Sequence, residues 1–79
     1  MIRIKELINT MSDRERLDAV ILIEHGMGKR YNKKTMPEMF AEYGTRGVKS
    51  WITDKYYSER GEIRLSIFIE LKGGDQKLK

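Results

Sequence analysis

The run Val48-Lys49-Ser50-Trp51-Ile52-Thr53-Asp54-Lys55-Tyr56-Tyr57-Ser58-Glu59-Arg60-Gly61-Glu62-Ile63-Arg64-Leu65-Ser66-Ile67-Phe68-Ile69-Glu70-Leu71 decides how the rest of the chain is read. In its second half Ile63, Leu65, Ile67, Ile69 and Leu71 are apolar, with Arg64, Ser66 and Glu70 among the residues between them, the period of a half-buried strand. Upstream, Trp51-Ile52-Thr53 and Tyr56-Tyr57 suit a pleated surface, and Glu59-Arg60-Gly61-Glu62 separates the two runs with a glycine able to take positive φ. A β-hairpin is expected. A two-residue loop at Arg60-Gly61 sets Ser58 opposite Ile63, Tyr56 opposite Leu65 and Ile52 opposite Ile69. Val48, Ile52 and Tyr56 then share a face with the Ile63–Leu71 alternation, while Trp51, Lys55, Tyr57, Arg64 and Phe68 share the other. A loop one residue longer moves Trp51 and Tyr57 to the Ile63 side, so the faces hang on the turn.

Upstream of the hairpin, Thr35 can cap a helix with Pro37 in its first turn, Glu38 completing Thr-x-x-Glu and Gly44 as its stop. Met36, Met39, Phe40 and Tyr43 form its apolar stripe. Gly26 to Lys34 has two glycines, four cations and no apolar period, and reads as a loop. Val20-Ile21-Leu22-Ile23, within Ala19–Glu24, reads as a central strand buried on both faces. Ile4, Leu7, Ile8 and Met11 fall on one stripe of a first helix, and Ser12 with Glu15 fits a capping box for a second short turn. The polar residues 72–79 read as a disordered tail after a single domain over 1–71. The expected architecture is α+β, with about three mostly antiparallel strands and two helices in the order helix, strand, helix, β-hairpin. A competing reading makes residues 45–57 a helix, since Val48, Trp51, Ile52, Lys55 and Tyr56 also suit helical spacing. That gives a winged helix-turn-helix with Arg46, Lys49, Ser50 and Thr53 toward a major groove.

At 79 residues the chain buries only about 60–65% of its extended surface, which argues against a deep catalytic cleft. No cysteine is present and there is one histidine, so neither a disulfide framework nor a thiolate metal site is expected, and no cofactor is implied. No apolar run reaches signal-peptide or membrane-spanning length, which favours a cytoplasmic protein without membrane contact. The net charge of +4 leans toward acidic partners.

Gly26-Met27-Gly28-Lys29 lacks the full phosphate-loop spacing, and His25 has no nucleophile or carboxylate partner at a readable spacing. Glu38 and Glu42 are expected on a solvated helix face. Lys29, Arg30, Lys33 and Lys34 around Tyr31 can grip phosphates or an acidic surface while the ring stacks a base. The strongest candidate is the face shared by Trp51, Lys55, Tyr57, Arg64 and Phe68: either the second helix covers it, with the first helix on the Ile63–Leu71 side, or a partner does.

The opening Ile2-Arg3-Ile4-Lys5-Glu6-Leu7-Ile8, a short helix leading to the strand Ala19–Glu24, resembles the start of many small phage-encoded accessory proteins. The resemblance implies a compact protein in the host cytoplasm that binds and blocks a host protein, or that binds nucleic acid. The leading expectation is thus a non-enzymatic protein-binding domain that docks on an acidic host-protein surface. The alternative is a small basic DNA- or RNA-binding protein. An exposed edge strand also leaves room for a homodimer.

Overall fold

The computed structural model describes residues 2–73 and is α+β: two helices against one four-stranded mixed sheet. The expected residues 72–79 of the tail fall, apart from Lys72 and Gly73, outside the described residues. In chain order the elements are α1 (Ile4–Thr10), a 3₁₀ turn (Arg14–Arg16), β1 (Leu17–Glu24), β2 (Met27–Asn32), α2 (Met36–Tyr43), β3 (Val48–Tyr57) and β4 (Ile63–Leu71). The strands lie in the order β2-β1-β4-β3. β1 pairs antiparallel with β2 and parallel with β4, and β4 pairs antiparallel with β3. No helix among the described residues is long and apolar enough to cross a membrane.

Two expectations change, and the competing reading falls. The segment expected as a loop contains β2, and the reason is its turn: His25 and Gly26 both have positive φ, 54° and 81°, between paired Glu24 and Met27. Two such residues make the tight turn whose twist matches a hairpin. Residues 45–57 hold strand β3, which removes the helix-turn-helix reading; Arg46, assigned to a groove in that reading, instead pairs with Glu24 at 2.8 Å. The β3–β4 loop is one residue longer than expected. Ser58 N–H donates to the Glu62 carbonyl at 2.8 Å, Gly61 N–H to the Ser58 carbonyl at 2.9 Å, and Gly61 takes a φ of 78°. This three-residue turn sets Tyr57 opposite Ile63, Lys55 opposite Leu65 and Trp51 opposite Ile69.

Both helices pack on one side of the sheet. Ile4, Leu7 and Ile8 of α1 and Met39 of α2 bury against Leu17, Val20, Leu22, Tyr31, Leu65, Ile67, Ile69 and Leu71. Partly buried Met36, Phe40 and Tyr43 complete the α2 stripe as read from the sequence. The caps differ from the sequence pattern. Thr35 makes no side-chain cap bond to α2; its hydroxyl accepts from Asn32 N–H at 2.9 Å, while the Asn32 amide oxygen accepts from the Lys34 and Thr35 amides. Gly44 caps the end of α2 without a positive φ, and the position is confined to glycine because a Cβ there would come within 2.5 Å of the Phe40 carbonyl oxygen.

The turns generate a stability test. Asparagine tolerates the left-handed region better than histidine, so His25→Asn is expected to raise stability by about 0.5 kcal/mol, roughly 2–4 °C in Tm. Gly61→Ala, forced into positive φ, should lower stability by about 1 kcal/mol. Urea unfolding followed by circular dichroism measures both.

Candidate functional site

Because directly paired residues share a face, the register assigns every strand residue to the helix side or the far side. Trp51, Thr53, Lys55 and Tyr57 lie on the helix side with Ile63, Leu65, Ile67 and Ile69. Arg64 and Phe68 lie on the far side, opposite Tyr56 and Ile52. The five residues expected to form one aromatic, cationic face are therefore divided between two faces by the extra turn residue. Neither helix is split from the other as expected: both cover the same side, and α2 does not cover Phe68.

The basic segment is divided as well. Tyr31 is 5% exposed in the core, its ring 6.1 Å from that of Tyr43, so it is not available to stack on a base. Lys29 lies 5.5 Å from the Tyr31 ring centroid, and the neighbouring Tyr31 side chain holds its pKa above the ordinary lysine value. Arg30 points to the opposite face, opposite Ile21, and Lys33 and Lys34 sit in the turn before α2.

What the register does bring together is a row across all four strands on the far side: Arg30 of β2, Ile21 of β1, Phe68 of β4 and Ile52 of β3. Ile23 extends this apolar strip on β1. Among the described residues neither helix covers it: Ile21, Ile23 and Phe68 stay half-buried and Ile52 is 68% exposed. The rim is polar and of mixed charge. Ser50 donates to the Glu70 carboxylate at 3.0 Å, Lys49 lies 3.6 Å from the same carboxylate, and Arg64 lies 3.4 Å from Glu62.

At one end a bulge in β1 between Leu17 and Ala19 turns Asp18 to this face, where its carboxylate accepts a hydrogen bond from the Tyr56 hydroxyl. Accepting carboxylate charge beside it raises the Tyr56 pKa above its ordinary value of 10.0, with partial burial adding to the shift. The row was not legible beforehand because Ile21 and Phe68 meet only through the parallel β1–β4 pairing and Arg30 only through β2. The signal that was present, Val20-Ile21-Leu22-Ile23 apolar on both faces, required a covering for each face of β1.

The hollow of about 310 Å³ at the β3–β4 turn is lined by Ser58, Glu59, Arg60, Glu62 and Arg64, and the Ser58 hydroxyl is tied to the turn as acceptor from Glu62 N–H. Among the described residues no group of three His, Cys, Asp or Glu side chains is placed to hold a metal ion. His25 is exposed in its turn. No family model matches the chain, and no curated protein and no solved structure matches it.

The Tyr56–Asp18 bond carries a signed pH dependence. A tyrosine whose pKa is raised by folding contributes stability that is complete below the unfolded value, 10.0, and is lost as pH rises through the folded one. Wild type should therefore lose more stability than Tyr56→Phe between about pH 8 and about pH 11, read as the shift in urea midpoint. Equal losses in the two proteins would show that the bond does not contribute.

Proposed function

We propose that the protein is a non-enzymatic protein-binding domain of the kind found among small phage accessory proteins, acting by covering a surface of a host protein. The observation that carries the reading is the row Arg30–Ile21–Phe68–Ile52 on a sheet face that neither helix covers. Its centre is mainly aliphatic, which suits an apolar protein patch, and Arg30 and Arg64 favour acidic groups around that patch. A nucleic-acid platform fits less well. Phe68 and Tyr56 are the aromatics of this face, both half-buried, Tyr56 is held by Asp18, and Asp54 and Glu70 stand where phosphates would pass. The mechanism is steric: the uncovered sheet face occupies a partner surface that another ligand uses.

Affinity capture from host lysate with the wild-type chain, compared with Ile52→Glu and Met27→Glu, tests the face. Ile52 lies on the proposed face and Met27, 77% exposed, lies on the helix side beyond β1, so both substitutions fall on exposed apolar residues. The expected outcome is a partner whose affinity drops by about 2 kcal/mol or more with Ile52→Glu and by under about 0.5 kcal/mol with Met27→Glu. Equal effects of both would reject the face. A fluorescence-anisotropy titration with duplex and single-stranded oligonucleotides at about 50 and about 200 mM salt should show no tight, salt-sensitive binding. Micromolar binding that collapses with salt would replace this reading with the nucleic-acid one.

A further inference from the structure

The outer edge of β3 is a separate feature. β3 has 10 residues, lies at the margin of the sheet and has β4 on one side only. The chain's own N-terminal segment covers just its beginning, where Val48 N–H donates to the Ile2 carbonyl at 3.0 Å and Arg3 bridges Gly47. From Ser50 onward the edge is open among the described residues. Since Ser58 and Glu62 form a hydrogen-bonded pair, antiparallel alternation turns the backbone groups of Tyr56, Asp54 and Ile52 toward β4. The N–H and C=O groups of Tyr57, Lys55, Thr53 and Trp51 then point away from the sheet. Of the exposed large apolar residues, Trp51 (51%), Ile52 (68%) and Tyr57 (69%) all lie on this strand, with Met27 as the exception. Neither proline nor a mid-strand bulge protects the edge; the irregularity in β3 falls between Val48 and Ser50.

We propose that β3 pairs antiparallel with β3 of a second copy, about a twofold axis at Thr53, to make a continuous eight-stranded sheet. Charge, together with the length of edge left open beyond the N-terminal contact, selects the register. A twofold axis perpendicular to the sheet keeps each residue on its own face, so only same-face residues can meet. With Thr53 opposite its own counterpart, Trp51 meets Lys55 on the helix side, twice by symmetry, placing each ammonium against an indole. On the far side Ser50 meets Tyr56 and Ile52 meets Asp54, and the two Ile52 side chains become diagonal neighbours across the axis. No like charges face each other. A shift of the axis to Asp54 sets two carboxylates face to face, a shift to Ile52 brings Lys49 against Lys55, and a shift to Lys55 opposes two ammonium groups. The outward backbone groups at Trp51, Thr53 and Lys55 are the ones this register bonds.

Cysteine is absent from the sequence, so single-cysteine variants report the register cleanly. Thr53→Cys is expected to form an intermolecular disulfide on mild oxidation at least about tenfold faster than Asp54→Cys or the remote Lys33→Cys, because Cα atoms in a hydrogen-bonded pair lie about 5.5 Å apart, within disulfide range. Cross-linking of Thr53→Cys no faster than Lys33→Cys, or slower than Asp54→Cys, overturns the pairing. Light scattering on the full wild-type chain should show mass rising from 9.3 kDa toward twice that value between about 10 µM and about 1 mM, with a blue shift in emission of Trp51, the sole tryptophan. Thr53→Pro removes an outward donor without touching the β4 ladder and should hold the mass at the monomer value. A monomer throughout the range in the wild type, or a dimer undiminished in folded Thr53→Pro, overturns the proposal.

Discussion

The parallel pairing of β1 with β4 is the interaction on which the remaining structure depends. It joins two hairpins that are each local in sequence, β1–β2 and β3–β4, into one sheet. The pairing also holds side chains among the most deeply buried, Val20 opposite Ile67 and Leu22 opposite Ile69, three of which are 0% exposed and the other 3%. Parallel neighbours cannot be joined by a tight turn, so the chain must leave and return, and here it does so through β2, α2 and β3. That detour places α2 beside α1 on the same side. With both helices spent on one face, the chain has no element left for the other among its described residues, and the far side of β1 and β4 stays half-covered.

How far the sequence discloses this arrangement varies from element to element for identifiable reasons. The β3–β4 hairpin, α1 and α2 announce themselves because β4 and each helix bury one face and therefore repeat their apolar residues at the matching period, and the central strand does so by its continuous apolar run. β2 does not, because an edge strand with a single buried side chain, Tyr31, has nothing to repeat; its sign was the His25-Gly26 pair directly after a strong strand. The faces of the hairpin were misplaced by one turn residue. Glu59-Arg60-Gly61 and Arg60-Gly61 are both acceptable loops by composition, and only the Ser58–Glu62 bond decides between them.

The candidate site inherits this division. Trp51, Tyr57 and Lys55 belong to the edge and the helix side, Arg64 and Phe68 to the uncovered face, and Lys29, Arg30 and Tyr31 alternate between the faces because they occupy a strand rather than a loop. Composition could identify the exposed aromatic and cationic residues, but not which of them meet. The row of Ile21, Phe68 and Ile52 joins residues from three strands far apart in sequence, and no local pattern encodes such a juxtaposition.

The three-residue turn at Glu59-Arg60-Gly61 also bears on how such a protein can change over generations. Its inner strand β4 is pinned by the core, while β3 is held by β4, by a short contact at its beginning and by the Tyr56–Asp18 hydrogen bond. A change of turn sequence that re-pairs the strands one position out of register, against an unmoved core, would exchange the two surfaces of β3 and show Trp51 where Ile52 had been. The same β3 side chains can thus present two different surfaces above one interior, and the Ser58–Glu62 pair decides which is shown.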